Sequence, residues 1–278
     1  YDTCTDGLAL DTAAEEEKGT IQGLMVGGRA LGVVITATLV GLLADHVSWT
    51  SVFWLLAGFT LLPVPLVLGV QEAPRPVERT FQWEAFVAFK QTVVLALAAM
   101  GFLFFLIIAG ANQLVNPYLE AQFQIGLSTA GFVTTVWGIG VVLGGTTGGW
   151  LIDRIGDRRA VIVALGLSLL SILALALIAS PAMAWPLVAL FGLSYGTYQT
   201  VYFALAMGHT DPRIAASMYS ILMAVVNVAQ GVGMAASGVM ADTLGFRWAF
   251  VVIAAVNVLI IPLLPLVFGK RQASSVRV

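Results

Sequence analysis

Three ionisable residues fall inside stretches of the chain that are otherwise apolar. Asp2 and Asp6 precede an acidic cluster, Glu15, Glu16 and Glu17, and Arg29 lies about ten residues into the apolar run that follows. Asp2 and Asp6 are four apart and share one helical face. A helical hairpin turning near Glu16 brings one of them level with Arg29, at a depth of roughly 15 Å for a rise of 1.5 Å per residue. A carboxylate beside an arginine can take up and release a proton in step with a solute, because burial and the cation push its titration in opposite directions. The same pair would also serve as a fixed tie between two helices, and the residue types leave both uses open.

Neutral hydrogen-bonding residues form further groups. Tyr195, Tyr198, Gln199 and Tyr202 are spaced i, i+3, i+4, i+7 and make one helical stripe. Asn112, Gln113 and Asn116 precede Pro117, and Asn227 and Gln230 share a face. Such side chains can line a cavity for a polar solute or join helices to one another. Other chemistry finds little support. Cys4 is the only cysteine and His46 and His209 lie far apart, so neither a metal site nor a cofactor is expected. Neither a phosphate-binding loop nor a nucleophile–base pair is recognisable, so the chain does not read as an enzyme.

The elements that must hold these residues follow from composition. Of 278 residues, 59% are hydrophobic and only 10% charged, where a soluble domain has about a quarter charged; mean hydropathy is +0.94. Helices crossing a bilayer need about twenty apolar residues each. Hydropathy and breakers predict eight spans, 20–44, 49–71, 88–115, 128–152, 159–180, 184–208, 213–240 and 246–268, behind a half-helix at the front. The net charge of −2 offers no basic surface to nucleic acid. The class is an all-α polytopic membrane protein.

Short connections make neighbouring spans antiparallel, and basic residues orient them. Lys18, Arg75, Arg79, Lys90, Arg154, Arg158, Arg159, Arg213, Lys270, Arg271 and Arg277 fall on alternate connections, against Arg247 alone on the others. Loops rich in Lys and Arg stay in the cytosol, which puts 153–158 and the C-terminus there. Residues 72–87, with Pro74, Pro76 and mixed charges, read as a linker between two bundles or as an amphipathic loop. "GLLADHVSWTSVFW" (41–54) and "GVMADTLGFRWAFV" (238–251) match at an offset of 197, and internal repeats are frequent in transporters. The glycines at 140, 144 and 148, beside Gly145 and Gly149, suit close helix contact.

One loop is charged far beyond its surroundings. "GGWLIDRIGDRR" (148–159) resembles the cytoplasmic-loop signature of the major facilitator superfamily, Gly-x-Leu-Ala-Asp-Arg-x-Gly-Arg-Lys/Arg, through Gly149, Leu151, Asp153, Arg154, Gly156 and Arg158. Ile152 replaces the usual Ala, and Asp157 stands where that family has a basic residue. Locally, Gly149 lets two helices approach and Gly156 permits a tight turn. Asp153 can then cap a neighbouring helix, near Gly19 to Gln22, where free N–H groups and the dipole favour an anion.

The resemblance implies a two-bundle fold running from the end of helix 4 to helix 12, with the earlier helices outside this chain. Residues 1–71 would then belong to the N-terminal bundle, 72–87 to the inter-bundle linker, and 88–278 to the C-terminal six-helix bundle and tail. The first thirty residues, with Asp2, Asp6, Glu15, Glu16, Glu17 and Gly19, are similar to the helix 4–5 region of the muropeptide-permease, acetyl-CoA and folate–biopterin transporter branch. Together these features imply a monomeric, secondary active transporter of a small polar solute in a bacterial-type inner membrane. It would be a proton-driven symporter working by alternating access. The alternative is a transport-inactive sensor or assembly factor of the same fold.

Overall fold

The computed structural model describes residues 17–46, 48–65, 83–210 and 214–269. Asp2, Asp6 and most of the 72–87 linker lie outside the described residues. Those described are almost wholly helical, with no strand among them. The helices are α1 (Lys18–His46), α2 (Trp49–Leu61), α3 (Thr92–Phe123), α4 (Leu127–Ile155), α5 (Asp157–Ala176), α6 (Pro181–Gly208), α7 (Ala215–Leu244), α8 (Phe246–Val256) and α9 (Leu264–Phe268). A 3₁₀ segment, Trp83–Lys90, leads into α3, and another, Asn257–Leu263, joins α8 to α9.

Among the described residues, five stretches are long and apolar enough to cross a membrane: Thr92–Phe123, Thr129–Ile155, Asp157–Ala176, Ser217–Leu244 and Phe246–Phe268. Helix α6, with 28 residues, has the length. Its row of Ser194, Tyr195, Thr197, Tyr198, Gln199, Thr200 and Tyr202 lowers its hydropathy below theirs. Three expected spans change shape at prolines, which cannot donate to the helical ladder. Helix α2 stops at Leu61, ahead of Pro63 and Pro65, and the Leu62 N–H closes on Phe59 O at 3.3 Å instead. The span 246–268 passes into 3₁₀ geometry around Pro262. The span expected to close at 115 runs through Pro117 to Phe123, so Asn112, Gln113 and Asn116 lie within α3 rather than at its end.

Two junctions are a single glycine long. Gly156 caps both α4 and α5 at φ +78°, and Gly245 caps both α7 and α8 at φ +82°. A side chain is strained there, and glycine is not. The repeat extends to element boundaries at the same offset of 197. Lys18 opens α1 as Ala215 opens α7, and Trp49 opens α2 as Phe246 opens α8. At the junction Ser48 takes the place of Gly245: it is extended, and its hydroxyl accepts from Ser51 N–H.

Helix α4 is held between two partners, and its glycines decide how closely. Gly140, Gly144 and Gly148 face α6: a Cβ on each would meet Ala189 O, Leu193 O and Thr197 O. Gly192 and Gly196 of α6 return the fit against Trp137 O and Val141 O. Gly145 and Gly149, turned toward α1, would place a Cβ against the Gly23 and Gly19 carbonyls. Small residues let backbones approach in lipid, where no hydrophobic drive joins one apolar helix to another. Elsewhere α3 crosses α7 at Gly110 and Gly233, and the aromatic core of the bundle lies between α3, α6 and α8. Its large apolar exposures, such as Leu95, Phe132, Leu143, Leu170 and Val239, face outward where lipid would lie.

Candidate functional site

Asp153 ends the α1–α4 contact. Its Oδ1 accepts from the Gly19 N–H at 3.2 Å, and its Oδ2 accepts from the Thr20 N–H at 3.1 Å and from the Thr20 hydroxyl. Those N–H groups belong to the first turn of α1 and have no partner within their own helix. The carboxylate also meets the positive end of the α1 dipole. Gly149, one turn before Asp153, is what allows this reach. The approach loosens along the pair: a Cβ on Gly23 would lie 2.6 Å from Gly145 O, and one on Gly27 would be 3.7 Å from Val142 O. Backbone meets backbone at the Asp153 end, and toward the other end Val34 reaches Gly138 through its side chain.

The remaining loop residues divide. Arg154 is exposed and lies 5.9 Å from the Trp150 ring centroid, within cation–π range. Arg158 is exposed. Asp157, the departure from the signature, is the first residue of α5, where the helix dipole favours an acidic side chain.

The second feature is a cavity of about 270 Å³ between α3, α4 and α6. Asn112, Gln113 and Asn116, expected to line a cavity, all line this one, together with Thr134, Trp137, three valines and Pro117. Asn116 Nδ2 donates to Thr134 Oγ1 at 3.1 Å, and that hydroxyl donates to Ala130 O at 3.0 Å. The amide is thereby fixed in orientation. Asn116 Oδ1 and Trp137 Nε1 are buried and make no hydrogen bond within the protein. Pro117 cannot donate to the Gln113 carbonyl one turn earlier, which loosens the ladder beside the cavity.

The aromatic stripe of α6 does something other than line this space. Tyr198 is fully buried; its hydroxyl donates to Asn257 Oδ1 at 2.8 Å, and its ring stacks on Phe104 at 3.7 Å. Tyr202 fits over Gly101 and donates to Leu97 O at 3.3 Å. The expectation that Tyr198 lines a cavity is corrected: that face of α6 turns into the bundle, toward α3 and the Asn257 break. Tyr195 meets the edge of Trp137 at 5.1 Å and is one contact removed from the cavity. Gln199 is half-buried one turn beyond Tyr195. Asn227 and Gln230 pair with each other on α7 at 3.4 Å, outside this lining.

Arg29 sits with its guanidinium 5.8 Å from the Phe203 ring centroid on α6. Phe203 in turn stacks on Phe105 at 5.4 Å. Its expected acidic partners, Asp2 and Asp6, lie outside the described residues.

Three features escaped the sequence reading. Trp137 and Thr134 complete the cavity, and Gln22, 1% exposed, crosses from α1 to α6, donating to Met207 Sδ at 3.4 Å. Arg247, read only as the odd basic residue, donates to Tyr118 Oη at 3.3 Å and to Ile178 O at 3.4 Å, joining α3, the α5–α6 turn and α8. A single tryptophan or glutamine in an apolar span carries no pattern that would single it out.

Helices packed on glycine, proline-broken spans and a polar cavity inside an apolar bundle define an integral, multi-pass helical membrane protein. The chain matches the Major Facilitator Superfamily over residues 1–217 and 97–278. It belongs to that family. It is 27% identical over 173 residues to monocarboxylate transporter 12-B of Danio rerio, covering 50% of this chain and 36% of that protein's length. Its fold is similar to the human organic anion transporter MFSD10 (TETRAN), with a TM-score of 0.76 at 14% identity over 94% of this chain and 67% of that one. It is also similar to the major facilitator transporter FucP in its outward conformation, with a TM-score of 0.67 at 13% identity over 94% of this chain and 71% of the other.

Proposed function

We propose that the chain is the greater part of a secondary active transporter that moves a small polar solute by alternating access, driven by a proton gradient, with the Asp153 end in the cytosol. One observation carries the reading. The α1–α4 contact is closed at one end by bare backbone and three hydrogen bonds to one carboxylate, and it loosens toward the other end. Glycine faces separate without leaving interlocked side chains behind, and a helix start released from Asp153 can turn its N–H groups to water. The contact is built to open, whereas the α4–α6 contact stays close from Gly140 to Gly148 and is tied across by the Thr197 hydroxyl, which donates to Gly144 O at 3.2 Å.

Proton coupling rests on Asp2 or Asp6 near Arg29. The test is uptake by the full-length protein in proteoliposomes under an imposed proton gradient. If one of these aspartates carries the proton, Asp→Asn there abolishes uphill accumulation and leaves solute exchange intact, because the amide mimics the protonated acid. If the pair with Arg29 is only structural, the single variant leaves a charge unpaired, at a cost of about 3–5 kcal/mol. Asp→Asn with Arg29→Gln then restores both expression and uphill transport, which would rule out the carboxylate as coupling site.

A further inference from the structure

We infer that the cavity between α3, α4 and α6 recognises an uncharged solute carrying both a hydrogen-bond acceptor and a donor, and that Trp137 is the residue that selects it. This rests on the transporter reading above and adds the chemistry of the solute.

Among the described residues, the lining holds three carboxamides, one hydroxyl and one indole, and no charged side chain. An anion entering it would lose its hydration and find no counter-charge, which is costly. The anions in the names of two similar proteins therefore have no partner in this lining. Arg29 does not supply one. Its ring partner Phe203 is fifteen residues along α6 from Val188 of the lining, about 22 Å at the helical rise.

Two groups in the lining are unfinished. Trp137 Nε1–H is a donor without an acceptor, and Asn116 Oδ1 is an acceptor without a donor. Both are shut off from water, where an unmade hydrogen bond is expensive. Neither is free to turn away. Asn116 is held through Nδ2 by Thr134, and the Trp137 ring packs perpendicular to that of Tyr195 at 5.1 Å. Where opening of the bundle uncovers them, a ligand offering an acceptor to the indole and a donor to the amide completes both at once. A hydroxyl or a primary amide does this, and a carboxylate offers acceptors only. A site with fixed polar groups also discriminates strongly against analogues that leave them unpaired. The volume of about 270 Å³ falls just below the usual range of roughly 300–1,000 Å³ for ligand pockets, so the solute is small.

The experiment uses purified full-length protein and matched probes that differ in charge alone: lactamide and lactate, glycerol and glycerate, glucose and glucuronate. Binding is measured by calorimetry for the native protein, for Trp137→Phe, which keeps the ring, and for Gln113→Leu as a second lining variant. The neutral member of at least one pair should bind at least tenfold more tightly than its anionic twin. Trp137→Phe should reduce that affinity about tenfold, or 1.4 kcal/mol, while the melting temperature is kept. Tighter binding of the anionic twins, an affinity unchanged in both variants, or no binding of any neutral probe would overturn the inference. Flux of the anionic twins in proteoliposomes would remove this proposal and leave the transporter reading standing. Neutral binding without flux of any solute would do the reverse.

Discussion

Asp153 holds three donors of the α1 start with one carboxylate. Asparagine in its place keeps an acceptor but loses the charge that meets the α1 dipole, worth about 0.3–2 kcal/mol. If the contact is the closed gate, Asp153→Asn shifts the balance toward the open form by roughly two- to thirtyfold. A cysteine replacing the buried Gln22 reports this: its alkylation should speed up in Asp153→Asn by that order, with insertion unaffected. An unchanged rate would mean that the carboxylate is decorative. This residue was legible because the frame of two glycines around one aspartate is more than a basic loop requires. Tyr198 takes the second of the two uses open to it, joining helices. Periodicity says which residues share a face of α6, and leaves open whether that face meets a cavity or, as here, Phe104 and Asn257. Trp137 was invisible, because an indole matters only once its N–H is seen to lack an acceptor.

Neighbouring glycines of α4 serve opposite neighbours, and that separates two roles within one helix. A Cβ on Gly144 would strike the α6 backbone at Leu193, and one on Gly145 would lie 2.9 Å from Gly23 O of α1. Overpacking at such points costs typically about 1–3 kcal/mol. Gly144→Val should therefore lower the melting temperature and expression of the whole protein. Gly145→Val should fold, and should open the Asp153 end, again read by alkylation at position 22. Equal damage from both would show that α1 is as fixed to α4 as α6 is. The stripe itself was readable as helix contact from its four-residue spacing, but a stripe on a helix does not say which neighbour takes it. The boundaries at Leu61 and Asn257 moved because prolines in a membrane helix end it or pass it into 3₁₀ geometry according to what surrounds them, whereas α3 continues through Pro117 to Phe123.

At the scale of the molecule, the 197-residue offset that relates the two loop sequences also relates the starts of α1 and α7 and of α2 and α8. That much of the fold was legible because duplicated elements keep their punctuation, a helix end and a cap, even where side chains drift. The proposed orientation predicts that cysteines placed at Arg271 and at Ser180 react with an impermeant reagent from opposite faces, the first from the cytosol. Labelling of both from one face would contradict it.

Alternating access requires the Asp153 end and the far end of the α1–α4 pair to open in turn. Spin labels at Glu17 and Arg158 span the first, and labels at Trp49 and Gln124 span the second; all four positions are exposed. Distances measured by double electron–electron resonance in the full-length protein should fall into two populations, with Asp153→Asn lengthening the first pair and shortening the second. A single distance at each pair, the same with and without Asp153→Asn, would contradict the claim.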